Sequence, residues 1–272
     1  MRDLNPSHRH APLDQAHGLR QLFAASRQRF VPLVHNPHVA FGGVAMERLC
    51  AAFAEAGLHT LVVDAADSAS AAHELAQVDL SACIEKLSGS VSYIAARGLP
   101  MRWLDARGTT GGFLAAIADA APRAEVILVH AGASDIARMF SRRMPRPILQ
   151  AADAPQSLTH AYASMKLLAQ RLSVLAFDLL IAADGASPRV PRIADSLADC
   201  ADRFLGAALA DWALADPTGD PDEPVPPALS RLAAGQLHGE AGAAEPTPFH
   251  QPELAARAQP AARGRAAVAH AN

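Results

Sequence analysis

Lysine is almost missing from this chain of 272 residues: of its 24 basic side chains, Lys86 and Lys166 are lysine and 22 are arginine. Any chemistry that requires a lysine is confined to those two positions. Aromatic residues are also scarce, at 5%, while 50% of the chain is hydrophobic and much of that is alanine. The alanine and arginine usage reads as a coding bias, so alanine runs carry little weight, but the apolar share supplies one sizeable core or two small ones. There is no excess of positive charge. With 27 acidic residues the net charge is −3, which leaves nothing to hold nucleic acid by counterion release. The three cysteines, Cys50, Cys83 and Cys200, are odd in number, far apart and without CxxC spacing; that fits a reducing compartment and buried structural thiols. Long apolar runs are lacking too. Leu172 to Ala183 is broken by Asp178, well short of the ~18 residues that would span a bilayer, and the polar Met1 to His10 leads into no apolar targeting segment. A soluble, cytoplasmic protein is expected.

What is present is an alternation of short apolar runs with helical patterns, the pattern of a parallel sheet covered by helices. Strands are expected at Phe30 to His35, His59 to Asp64, Arg102 to Asp105, Glu125 to His130, Pro147 to Ala151, Phe177 to Ala182 and Leu209 to Leu214. Helices are expected at Asp14 to Ser26, Val44 to Ala56, Ala69 to Gln77, Leu80 to Leu87, Thr110 to Ala120, Ser157 to Leu172 and Ile193 to Leu205. HTLVVD and EVILVH are apolar until a polar last residue, as central parallel strands are when their carboxyl ends open onto a site. The expected fold class is therefore α/β, three layers, with a mostly parallel sheet between helices. From Asp216 onward nine of the 20 prolines appear and the hydrophobic period is lost. Residues 218–272 read as a disordered tail, with a short amphipathic piece at Pro227 to Leu237. The body is bounded at 29–217 and the N-terminal segment at 1–28.

Three stretches, in order, carry a family resemblance. LDQAHGLRQLF, from Leu13 to Phe23, sets Leu13, Ala16, Leu19, Leu22 and Phe23 on one helical face behind an Asp14 N-cap. FAEAGLHTLVVDAADSAS, from Phe53 to Ser70, is a helix end, a glycine turn and a strand ending in Asp64, with Asp67 beyond. ADAPQSLTHAYASMKLL, from Ala152 to Leu168, is the third. Together they resemble the flagellar MinD-like regulators of the FlhG (FleN) family, within the deviant P-loop ATPases of the MinD/ParA type, whose pattern is DQAxxLR, a P-loop, VLLxDAD and TPxPxSxTDAYxxIK. The resemblance covers roughly Leu13 to Pro217.

The resemblance implies a phosphate-binding GKGGVGKT-like loop after the first strand. This chain has HNPHVAFGGVAMERL, His35 to Leu49, instead. Gly42 and Gly43 remain, but no lysine occurs before Lys86 and no Ser or Thr stands at the position of the metal ligand; Arg48 is no replacement for a compact ammonium on a flexible stem. The family's second acidic strand, of the type VLIDTGAG, ends in an aspartate, whereas EVILVHAGAS places His130 there, and magnesium prefers oxygen. Gly42, Gly43, Asp64, Asp67 and His130 thus read as a degenerate nucleotide site with no catalytic residue and no metal. Asp64 and Asp67 also suit helix capping, and His35, His38 and His130 a metal or acid–base site at the sheet edge.

For partners, the resemblance implies the SRP-type GTPase FlhF, contacted and stimulated through Asp14, Gln15, Ala16, Leu19, Arg20, Leu22 and Phe23, with Gln15 ordering the catalytic water. Flagellar switch proteins and transcription regulators are further implied partners, and a flagellated pole the implied place. The expected function is regulation of flagellar number or placement with ATP hydrolysis lost and no cofactor. Two alternatives stay open: an active ATPase using ATP and magnesium through an unorthodox loop, and a small-molecule α/β enzyme with histidines at its strand ends. The tail has Arg257, Arg263 and Arg265 but few large apolar residues, so weak or no membrane binding is expected; dimerisation is left open.

Overall fold

The computed structural model describes residues 28–141, 144–220 and 223–238. Eight strands form one sheet in the order β3-β4-β2-β5-β1-β6-β7-β8: β1 Arg29–Val34, β2 Thr60–Asp64, β3 Glu85–Lys86, β4 Val91–Ala95, β5 Val126–Ala131, β6 Ile148–Ala152, β7 Ala176–Ala182 and β8 Ala208–Ala215. All neighbours run parallel except β3, which pairs antiparallel with β4. Six α-helices are seen among the described residues: α1 Gly42–Glu55, α2 Gly111–Ala120, α3 Ala133–Met139, α4 Pro155–Leu172, α5 Val190–Leu205 and α6 Pro227–His238.

The two faces of the sheet follow from strand alternation. In β5, Val126 and Leu128 join one core with α1 and α6, while Ile127 and Val129 join the other with α2 to α5. Phe53, Leu49, Leu229 and Leu232 are fully buried on the first face, and Phe113, Ile117, Ile136 and Leu168 on the second. The three-layer α/β expectation is met. On α4, Met165 and Leu168 are buried and Lys166 is exposed.

Several local expectations are corrected. Arg102 to Asp105 is not a strand; Pro100–Trp103 is a 3₁₀ turn that seats Trp103 against Phe113, ring centroids 5.2 Å apart. The helices expected at Ala69 to Gln77 and Leu80 to Leu87 shrink to 3₁₀ turns at Glu74–Gln77 and Ser81–Cys83. Asp79 explains the second: its carboxylate accepts from the Ser81 and Ala82 amides at 2.9 and 3.2 Å, an alternative to helical bonding. Lys86 then enters the β3–β4 hairpin, which was not expected, nor was α3. The boundary at 217 falls too early. Pro227–His238, expected only as an amphipathic piece in a tail, is helix α6, and its Leu229, Leu232 and Ala233 close the core on α1. The segment 14–26 and the chain beyond 238 lie outside the described residues.

Candidate functional site

The chain reverses its direction of travel across the sheet at β1, which lies between β5 and β6. Helices and loops leave the carboxyl ends of these strands on opposite sides, and the crevice so formed is where open α/β sheets place ligands. His35 follows β1, Asp64 ends β2, His130 is the last residue but one of β5 and Gln150 is inside β6. Parallel register aligns them: Asp64 stands opposite His130, and His130 opposite Leu33.

The side chains form a continuous network. His130 Nδ1 lies 2.8 Å from Asp64 Oδ1, and His130 Nε2 lies 3.2 Å from His35 Nδ1. The Asp64 carboxylate oxygen accepts, so the Nδ1 hydrogen belongs to His130, and Nε2 is the ring nitrogen turned towards His35. Asp64 also accepts from the Ala66 amide at 3.3 Å and from the Tyr93 hydroxyl at 3.5 Å. Burial, and next the facing His130, hold the His35 imidazole below its ordinary value. Burial is also the main reason that the Tyr93 phenol is raised, with Asp64 adding to it.

Gln150 fixes the other side. Its Nε2 donates to the Gly42 carbonyl at 3.2 Å, which leaves Oε1 facing His130 Nε2 at 3.3 Å. A methyl group on Gly42 would lie 3.5 Å from this amide, so the Gln150 side chain rests on the start of α1. Asn36 ties down the loop between β1 and α1: its Nδ2 donates to Gln150 O and Ser157 O, both at 2.9 Å, and its Oδ1 accepts from the His38 amide at 3.1 Å. Ser157 Oγ in turn accepts from the Ala152 amide at 2.8 Å. Farther out, His38 and His160 pack edge to face with centroids 5.9 Å apart. His160 also bonds the backbone of His35, while burial and then His38 keep its imidazole below the usual range.

The residues singled out from sequence are only partly brought together. Asp64, His130 and Gly42 share the network. Gly43 instead lines, with Met46, Cys50 and Tyr93, a groove of about 570 Å³. Asp67 is exposed, with its carbonyl bonded by Arg97 at 3.3 Å. Neither aspartate caps a following helix, since none forms there. His38 joins His160 rather than His35 and His130, and among the described residues no group of three or more His, Cys, Asp or Glu side chains is arranged to hold a metal. Both glycines belong to the first turn of α1 rather than to a loop. Cys50 is buried, which pushes its thiol up to about 12. Sequence reasoning missed Asn36 and Gln150; a glutamine within the buried strand ILQAA was the available signal.

No family profile matches the chain, and neither does any curated protein. Solved structures do match. The MinD cell division protein of Aquifex aeolicus superimposes with a TM-score of 0.51 at 14% identity, over 76% of this chain and 95% of that one. A putative plasmid partition protein of Borrelia burgdorferi, bound to AMPPNP, gives 0.52 at 7%, over 77% and 98%. Cobyrinic acid a,c-diamide synthase of Mycobacterium smegmatis gives 0.51 at 17%, over 82% and 100%. The fold is that of the MinD/ParA ATPases. Within that MinD/ParA fold, the interlocked His35, His130 and Gln150 stand at the end of the first strand and the start of the helix after it. Low identity limits the likeness to architecture; among the described residues no helix is long and apolar enough to cross a membrane.

Proposed function

We propose that this chain is a regulator that acts through protein contacts and has left the ATP cycle of its fold behind. One observation carries the reading: where the fold family implies a phosphate loop with lysine, a hydroxyl and a strand-end acid, this chain has neither lysine nor hydroxyl, and Gln150, which faces His130, bonds the Gly42 carbonyl. The residues present do not fit a magnesium triphosphate. Magnesium wants oxygen ligands, whereas His130 offers ring nitrogens that are both engaged, Nδ1 by Asp64 and Nε2 by His35. The Gln150 amide packs on the helix end, where amides would otherwise turn to an anion. Phe41 stands at the N-cap with no side-chain cap bond.

The partner proposed is the SRP-type GTPase FlhF, and the biological role is control of flagellar number or placement. The support is the DQAxxLR pattern at Asp14, Gln15, Ala16, Leu19 and Arg20, its order before VVDAAD and the Pro155 to Lys166 stretch, and a MinD/ParA fold for the intervening body. Gln15 would orient the attacking water in the partner's site, a known device in GTPases. The test is GTP turnover by FlhF with the full chain and with a Leu13 to Ser26 peptide. Stimulation by both, lost on Gln15→Ala, is expected; no stimulation defeats the partner reading. Separately, micromolar binding of labelled ATP with magnesium to the full chain would defeat the loss of the nucleotide site.

A further inference from the structure

Among the described residues, α1 and α6 are the helices that cover their face of the sheet. The connection from β2 to β4 passes over the opposite face, where Ala76, Leu80 and Ile84 join the other core. Val91 and Tyr93 of β4 nevertheless turn to the α1 face, and a sheet in a layered fold is covered on both faces. What stands beside them is the groove of about 570 Å³ along α1, walled by Met46, Cys50 and Ala54 at helical spacing and floored by Val62, Val91 and Tyr93. Leu87, on its rim, is 61% exposed. Glu47 is the only charged side chain among the residues that line it.

We propose that this groove is the seat of the chain's own segment Leu13 to Phe23, held as a helix beside α1. Length, reach and charge agree. The groove wall from Gly43 to Ala54 rises about 16 Å at ~1.5 Å per residue, and the segment as a helix is about 15 Å long. The chain enters the body at Gln28, whose Nε2 donates to Ala121 O at 2.8 Å. Arg29, Val126, Thr60 and Val91 stand level across β1, β5, β2 and β4, three strand spacings or about 14 Å in all. The chain from Phe23 to Arg29 reaches about 20 Å when extended, so Phe23 arrives beside Val91 and Ala54 while Leu13 stands near Gly43. Leu13, Ala16, Leu19 and Phe23 then face the groove. Arg20 flanks that stripe, and because a helical side chain leans towards the N-terminus it is aimed at Glu47. Seated so, the apolar stripe is withheld from other proteins, and a partner must first draw it out. The seat rests on the groove and the reach of the chain, independently of the partner proposed above.

The experiment is hydroxyl-radical oxidation of the full chain, read at Met46 in the groove and at Met101, which is 44% exposed and outside it. Met46 is expected to oxidise about fivefold more slowly in the wild type than in Leu19→Asp/Phe23→Asp, as for a seat filled about four-fifths of the time, with Met101 equal in both. Protection of Met46 should be the same at about 1 μM and about 50 μM chain, because the segment is tethered to its seat. Equal oxidation of Met46 in wild type and variant, or a change shared by Met101, overturns the proposal. Protection that grows with concentration gives the groove to a second copy and overturns it as well. Should the double variant fail to fold, the exposed Glu47 decides: Glu47→Arg is expected to unmask Met46 and Glu47→Arg/Arg20→Glu to protect it again. Met46 oxidation unchanged in the first, or unrestored in the second, overturns the proposal equally.

Discussion

The molecule holds two carboxylates in opposite company. Asp64, at the carboxyl edge of the sheet, is paired with His130 and through it with His35. Asp178, inside β7, accepts from Arg146 Nε at 2.8 Å and from Gln236 Nε2 of α6 at 2.6 Å. Arginine keeps its charge at every pH a protein meets, whereas histidine changes its own between about pH 5 and 8. One site is thus a permanent fastener for the last helix, and the other pairs its carboxylate with imidazoles rather than with a fixed cation. Burial sharpens the difference. It pushes the Asp178 carboxyl above its ordinary value against the pull of Arg146, leaving Asp178 Oδ1 without a partner, while it pushes the His35 imidazole down.

The largest effect should come from the permanent site. Arg146→Ala leaves a fully buried carboxylate without its cation and should cost about 3 kcal/mol, the low end of the usual range because the arginine is itself partly exposed; urea unfolding measures it. At the edge site His130→Ala removes a donor to Asp64 and should cost about 1–2 kcal/mol by the same measurement. If the two losses are equal, the contrast between a fixed and a titrating partner has no energetic meaning.

The pH response separates the sites by sign. His35 has a folded pKa below its unfolded 6.5, so the unfolded chain binds more protons and the His35 contribution is lost as pH falls from about 6.5 through the lowered value. Asp178 is raised above 3.8, so its burial weakens the fold at neutral pH, and that cost fades as pH falls through the raised value towards 3.8. Urea midpoints should therefore drop on mild acidification in the wild type, and Asp178→Asn should leave that drop intact. The smallest change belongs to His35→Gln, at about 0.5–1 kcal/mol near neutrality, with a flattened midpoint between pH 7.5 and 5.5. A drop of wild-type size in that variant would place its source elsewhere.

The strands were legible wherever an apolar run closed on a polar residue, as in HTLVVD and EVILVH, because central strands bury both faces. The β3–β4 hairpin was not, since SVSYIAA is short and lies at the sheet edge, where pairing rather than burial specifies the strand. RWLD, Arg102 to Asp105, reads as a strand by its apolar residues, yet the preceding Pro100 and the seat of Trp103 on Phe113 turn it. Asp64 and His130 could be named as site residues from their strand-end places. Gln150 and Asn36 could not be joined to them, being 114 positions apart from each other in the chain.

By itself, then, the sequence determined most of the central parallel strands, that a lysine is missing where a phosphate loop would need one, and that His130 stands near a strand end. Those are local properties of composition and period. Tertiary structure alone decided that His130 meets Asp64 across 66 positions and His35 across 95, and that residues 227–238 close the core instead of trailing from it. The reason is the strand order: β1 lies between β5 and β6, and crossovers of many residues set that order, so no local signal fixes which strand ends become neighbours.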